Sequence, residues 1–289
     1  MRYGKFLPEK GTIGFVAPSF GCNIEPYRSA FINAQKIWEQ QGYGFSFGPN
    51  AYEGCGIGIS NTPQKCAEEF NDWYAKEDVD VLISCGGGEL MCEILPYIDF
   101  EKIRNSEPKW FLGYSDNTNL IFLLATLCDT AAIYGPCAAA FGMEPWHDSL
   151  KDAMGILKGN IKSVHNYEQW EKEGLKTEDN PLEPYNVTEK FQLRTWTAEK
   201  GLSIPDDISK KTDEIIQMEG RLLGGCLDCL SILCGTKFDQ VEQFNEKYKE
   251  DGILWFLESC DLNPMGIRRA LWQLDEAGWL KYTKGFLIG

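Results

Sequence analysis

The run Lys109-Trp110-Phe111-Leu112-Gly113-Tyr114-Ser115-Asp116-Asn117-Thr118 carries an apolar strand into an apolar helix through a Gly-x-Ser turn. A serine on such a corner stands exposed above the carboxyl end of a sheet. The N–H of the next residue faces the same space. Acyl transfer needs both: a hydroxyl that reaches a carbonyl unobstructed, and donors for the oxyanion. Ser115 is therefore a candidate nucleophile, and the Asp116 N–H a candidate donor. The pattern departs from Gly-x-Ser-x-Gly, because Asn117 stands where the second glycine would be. A serine capping a helix fits the same local sequence.

Two further features could complete such a site. Gly86-Gly87-Gly88 follows an apolar run, and glycines let backbone N–H groups approach a developing oxyanion closely. A plain strand-to-helix turn or a phosphate cradle would use the same glycines. Glu258 ends the apolar run Ile253–Leu257, where a carboxylate needs a partner. Orienting a catalytic histidine is one such role, and a structural ion pair or a helix cap is another. The chain has only two histidines, His147 and His165, and both read as surface or packing residues. Cys226-x-x-Cys229 and Cys234 lack the four spaced ligands of a zinc site and read as core thiols, as do Cys85 and Cys92. No metal or organic cofactor is implied.

The elements that must hold these residues alternate. Strands are expected at Gly11–Ser19, ending in a loop, and at Phe45–Phe47, Val79–Ser84, Lys109–Gly113 and Ala131–Pro136. Helical apolar spacing covers Tyr27–Gln41, and Thr62-Pro63 opens a second helix with a cap residue and a first-position proline. A helix is also expected after Gly88, and another over Asn119–Leu127. Such alternation implies a mostly parallel sheet with helices on both faces, whose ligands bind at the carboxyl ends of strands. Residues 149–217 are polar, rich in Glu and Lys, and read as an interdomain connection with a large loop that packs through its aromatic residues. Beyond residue 218, the run Gly220–Cys226 leads into a helix ending at Gly235, a strand is expected at Ile253–Glu258, and Asn263-Pro264 opens a further helix. The last residues, Lys284–Gly289, read as a strand just beginning.

Composition narrows the class. The 289 residues are 43% hydrophobic and 25% charged, as in ordinary globular proteins, with a net charge of −15. That charge repels phosphate backbones and argues against a nucleic-acid partner. No signal-peptide pattern or membrane-length apolar run is present, so no membrane partner is expected. Eleven cysteines without a small-domain framework suit reduced thiols in a cytoplasm.

With these residues assembled, the chain resembles the LD-carboxypeptidase family of serine peptidases, which also contains the microcin C immunity peptidases. The resemblance runs through Val16-Ala17-Pro18-Ser19, the Asp80–Glu89 strand with its glycines, and Gly113–Thr118. It continues through Tyr134-Gly135-Pro136, Gly220–Gly225 and Ile253–Glu258. It implies a Ser-Glu-His triad in which Ser115 is the nucleophile and Glu258 the carboxylate. Gly87 and Asp116 fall where the family places its oxyanion donors. The family's histidine lies in a Gly-His segment tens of residues beyond Gly289, and no residue here matches it. Cys226 stands where family members usually carry asparagine.

The step of 143 residues from Ser115 to Glu258 is long for the compact muropeptide enzymes, and the excess falls in residues 160–205. Immunity-type members carry there a loop whose tryptophan stacks on an adenine, a role that Trp170 or Trp196 could fill.

The expected fold is α/β. Residues 1–148 form a flavodoxin- or amidotransferase-like domain with the elbow, 149–217 a connection, and 218–289 a smaller, incomplete α+β domain. The expected function is a cytoplasmic serine peptidase-like hydrolase of a muropeptide or an aminoacyl- or peptidyl-nucleotide antibiotic, with the immunity-like branch favoured. The resemblance also implies a homodimer. The competing class is a binder of peptides or nucleotide conjugates that has lost the triad histidine. A glutamine amidotransferase-like enzyme would need a cysteine at the elbow, where this chain has Ser115.

Overall fold

The computed structural model describes residues 1–195 and 216–289. Its first sheet comprises β1 (Thr12–Val16), β2 (Gly44–Phe47), β3 (Val81–Ser84), β4 (Trp110–Gly113) and β5 (Ile133–Tyr134). The strands lie in the order β2-β1-β3-β4-β5 and every pair is parallel. Ile83 lies opposite Phe15 on one side and Leu112 on the other, and Leu112 opposite Ile133. Strands β3 and β4 are buried along their whole length, which is why they read as unbroken apolar runs. Alternation still divides their side chains. Val81 and Ile83 join a core with Phe15, Phe31, Trp38 and Phe141 on one face, while Leu82 and Phe111 join Phe70 and Phe122 on the other.

Helices α1 (Tyr27–Gln40), α2 (Pro63–Ala75), α3 (Phe100–Asn105), α4 (Thr118–Cys128) and α5 (Asp148–Leu157) surround this sheet. The expected cap holds at α2, where Thr62 accepts from the Lys65 N–H and Pro63 fills the first turn. After the glycine run the chain first makes a 3₁₀ segment, Met91–Tyr97, rather than the expected α-helix. Pro96 lies within it, and α3 follows. Helix α5 opens the segment expected to be a connection with a large packed loop, and it buries Leu150, Ala153, Met154 and Leu157. Further on, β6 (Gln169–Glu171) and β7 (Val187–Lys190) form an antiparallel hairpin.

The second sheet holds β8 (Arg221–Cys226), β9 (Ile253–Glu258) and β10 (Thr283–Ile288) in the order β10-β9-β8. It is joined by α6 (Leu227–Leu233), α7 (Val241–Lys247) and α8 (Pro264–Glu276). Both strand pairs are parallel, so this unit repeats the crossover logic of the first sheet, and the α+β expectation is corrected. Helix α4 is covered by both sheets, and Leu120–Leu124 are all buried. Phe122 stacks on Trp279 at 5.1 Å and faces Trp255 at 6.4 Å. A helix with neighbours on all sides is apolar all round, as this one is. No helix among the described residues is long and apolar enough to cross a membrane.

Candidate active site

Strand β4 ends at Gly113, Tyr114 stays extended, and Ser115 turns to φ 62° before the chain coils into α4. A left-handed serine between strand and helix is strained, and it lifts the side chain clear of both elements. Asn117 fastens the turn from beneath. Its Nδ2 donates to the Gly86 and Tyr114 carbonyls, each at 3.0 Å. A Cβ on Gly113 would lie 2.8 Å from Asn117, so this glycine makes room for the asparagine side chain. The residue that breaks the expected glycine pattern thus ties the elbow to the glycine loop.

Gly87 stands directly against the nucleophile candidate. A Cβ there would lie 3.1 Å from both Cβ and Oγ of Ser115. The Gly87 carbonyl accepts from the Phe20 N–H at 2.9 Å, which fixes the peptide. Gly88 packs on Ser19, whose hydroxyl donates to Asp116 Oδ2 at 2.7 Å. Asp116 also accepts from the Met91 N–H and from Asn119 Nδ2, both at 2.9 Å. Burial raises the Asp116 carboxyl above its ordinary range, against the pull of these hydrogen bonds. The side chain of Asp116 faces inward as scaffold, so only its backbone can serve a ligand.

Glu258 arrives from the second sheet. The close approach depends on Gly224 and Gly225, at φ 154° and 137°. A Cβ on Gly225 would meet the Thr118 side chain at 2.6 Å, and the Cys226 N–H donates to Thr118 Oγ1 at 3.0 Å. Strand β8 is thereby docked on the first turn of α4, and Glu258 lies in register with Cys226. The Glu258 carboxylate accepts from the Tyr134 hydroxyl, and that same hydroxyl accepts from the Ser115 N–H at 2.9 Å. Burial, and then the neighbouring carboxylate, push the Tyr134 phenol well above its usual range, so it stays protonated and donates. Sequence reasoning missed this residue, although Tyr134-Gly135-Pro136 after a strand was its signal.

A cavity of about 490 Å³ opens over the elbow. Ser115 and Gly86–Gly88 line one wall, and Glu171, Lys176 and Tyr185 of the β6–β7 hairpin region line another. Trp170 precedes Glu171 on β6 and is 49% exposed. It does not line the cavity. Trp196 lies outside the described residues.

The histidines are engaged elsewhere. His147 caps α5, its Nδ1 accepting from the Ser149 N–H at 3.2 Å, and its ring packs on Tyr167 and Tyr185. His165 packs on Tyr167. Among the described residues, no imidazole hydrogen-bonds to Ser115 or Glu258. The Cys229 thiol lies 3.9 Å from the Ser115 carbonyl. No group of three or more metal-ligating side chains is assembled among the described residues.

Two parallel α/β sheets, clamped across a strained serine corner with a glycine loop and a carboxylate beside it, define a serine-elbow α/β protein. Family models for the LD-carboxypeptidase N-terminal and C-terminal domains match residues 13–135 and 219–289. The chain belongs to the LD-carboxypeptidase family.

A candidate carboxypeptidase of Vibrio cholerae is 32% identical over 151 residues, 50% of this chain and 43% of its own length. The microcin C7 self-immunity protein MccF of Escherichia coli is 23% identical over 233 residues, 78% of this chain and 62% of its own. The chain therefore spans less than two thirds of these curated relatives. A solved structure of MccF in complex with glutamyl sulfamoyl guanosine matches with a TM-score of 0.77 at 19% identity. The match covers 99% of this chain and 79% of that one, a likeness of fold.

Proposed function

We propose that the Ser115 cavity is an acyl-transfer site that takes an amide next to a carboxylate-bearing or aminoacyl group, in the manner of the immunity-type branch. Ser115 Oγ attacks the carbonyl. The N–H groups of Gly87 and Asp116 hold the oxyanion, solvent water takes the Ser115 proton, and Glu258 stands where a triad carboxylate would orient a base. The observation that carries this reading is the strained Ser115 corner packed against Gly87 at the mouth of a cavity. The hairpin that walls the cavity favours the immunity-type branch over the compact muropeptide enzymes. The identity with a microcin self-immunity protein also supports a small peptidyl- or aminoacyl-nucleotide substrate. All eleven cysteines are unpaired, in keeping with a reducing cytoplasm.

The reaction needs a proton acceptor at Ser115 Oγ, and neither His147 nor His165 stands there. A site with nucleophile and oxyanion donors but no paired base keeps roughly 10³–10⁴-fold acceleration over water. We therefore expect slow turnover by these 289 residues. The test is a fluorophosphonate adduct mapped by mass spectrometry, alongside hydrolysis of glutamyl sulfamoyl guanosine. Slow, Ser115-specific labelling that S115A abolishes supports the reading. Full-rate hydrolysis that survives S115A overturns it.

The engagement of both histidines elsewhere favours a second reading, a non-catalytic binder of the same conjugates. Saturable binding with neither labelling nor turnover would select it.

A further inference from the structure

Among the described residues, four charged side chains line the Ser115 cavity, and they are unequal. Glu89, Glu171 and Glu183 are carboxylates, and Lys176 is the single cation among the described lining residues. Two of the carboxylates already have donors. Glu171 Oε2 accepts from the Asn186 N–H at 2.6 Å, and Glu183 accepts from the Asn180 side-chain amide. Lys176 is partly buried, and no carboxylate among the described residues lies within ion-pair distance of its ammonium. Burial lowers its pKa, with Glu171 opposing that shift from a distance. An ammonium drawn out of water without a partner is costly, and an anionic ligand in the same cavity would relieve that cost. The rest of the chain repels such a ligand, because the net charge is −15. A local cation must then outweigh the surrounding field.

We infer that Lys176 is the specificity-determining residue of this site, receiving a substrate carboxylate while the scissile carbonyl lies at Ser115 and Gly87. The inference rests on the reading of Ser115 given above and deepens it, since it names the group that selects the substrate. The loop between β6 and β7 carries Lys176, so the extension that lengthens this chain between Ser115 and Glu258 becomes a recognition device. The carboxylate has two sources: the free C-terminus of a peptide, or the acidic side chain of an aminoacyl group.

The experiment is calorimetric titration of the 289-residue chain with two matched pairs. The first is the tetrapeptide L-Ala-γ-D-isoglutaminyl-L-Lys-D-Ala, whose one carboxylate is its C-terminus, and its C-terminal carboxamide. The second is glutamyl sulfamoyl guanosine and its glutaminyl counterpart. Wild type is expected to prefer the charged member of one pair by tenfold or more, and the pair that discriminates identifies the source. K176M is expected to erase that preference while leaving the neutral member's Kd unchanged, and K176R to retain it. A merely structural lysine would weaken charged and neutral ligands alike, and that result overturns the inference. So does wild-type binding of the neutral members with no preference for charge. If none of the four binds and Ser115 takes no fluorophosphonate, the functional reading fails and the inference fails with it.

Discussion

One tyrosine hydroxyl links Ser115 to Glu258. Tyr134 Oη accepts the Ser115 N–H at 2.9 Å and donates its proton to a Glu258 oxygen. Tyr134 belongs to the first sheet, Ser115 to the turn that follows β4 of that sheet, and Glu258 to the second sheet, so this link spans the contact between them. It fixes the Ser115 backbone and the Glu258 carboxylate together, although they are 143 residues apart. A phenol held protonated can donate and accept at once, which neither a carboxylate nor an amide N–H could do here.

Replacing that hydroxyl tests the link. Y134F keeps the ring against Phe256 but leaves the Ser115 N–H and one Glu258 oxygen without their partner. These hydrogen bonds are partly buried, and removing one partner of a fully buried bond costs about 1–3 kcal/mol, which bounds the loss from above. Y134F is expected to lower stability by up to that amount in urea denaturation and to slow fluorophosphonate labelling of Ser115. A variant as stable as wild type, labelled at the same rate, would show that the link does not position the serine.

Gly87 makes the second prediction. It is not at positive φ, so alanine suits its backbone, but the added Cβ would crowd Ser115 Oγ at 3.1 Å. G87A is expected to fold with a melting temperature near wild type and to lose at least tenfold in labelling rate. G86A serves as the control. Its added Cβ would face the Phe20 carbonyl at 3.2 Å and not the serine, so labelling should be affected less. Equal losses in the two variants would remove Gly87 from the oxyanion role.

Glu69 sets a pH dependence away from the elbow. It is 2% exposed, and burial raises its carboxyl to about 7 despite hydrogen bonds from the Ala17 and Asn50 N–H groups. The folded pKa lies above the unfolded one. Its contribution to stability is therefore complete below about pH 4.5 and is lost as pH rises through 7. That shift corresponds to about 3 kcal/mol. Relative to E69Q, wild type is expected to lose about that much between pH 4.5 and 8, read from urea unfolding at each pH. Parallel stability profiles for the two proteins would mean that Glu69 titrates normally.

The elbow was legible because its signal is local: an apolar strand, one turn and an apolar helix are contiguous. The caps at Thr62-Pro63 and Asn263-Pro264 were legible for the same reason, and both accept the backbone N–H expected of them. Tyr134 was not, because its partners lie 19 and 124 residues away, and Tyr134-Gly135-Pro136 marks a strand end without showing what the hydroxyl meets. The parallel pairing of β8, β9 and β10 was hidden because apolar strands read alike in either direction. Helix α5 and the hairpin vanished into a polar stretch, where only one face of α5 is buried and the hairpin is largely exposed. Lys176 drew no notice, since a lysine in a Glu- and Lys-rich segment looks like solvated surface until the fold turns it onto the cavity wall.

The strain at Ser115 gives the last prediction. A serine at φ 62° is held where L-residues other than glycine pay about 1–2 kcal/mol. Alanine at this position removes the hydroxyl and keeps the strain. Glycine removes both, at a cost of about 0.5–1 kcal/mol in unfolded-chain entropy. S115G is therefore expected to be more stable than S115A by up to about 1 kcal/mol, a rise of roughly 2 °C in Tm for a chain of this size. Both variants should fail to label. The comparison cancels the loss of the hydroxyl, which the two share, and isolates the backbone. S115A equal to or above S115G would mean that the corner is relaxed, and that Ser115 is held there by its surroundings without stored strain. S115G above S115A would show that the fold gives up stability to present a hydroxyl at this point, which an ordinary helix cap does not require.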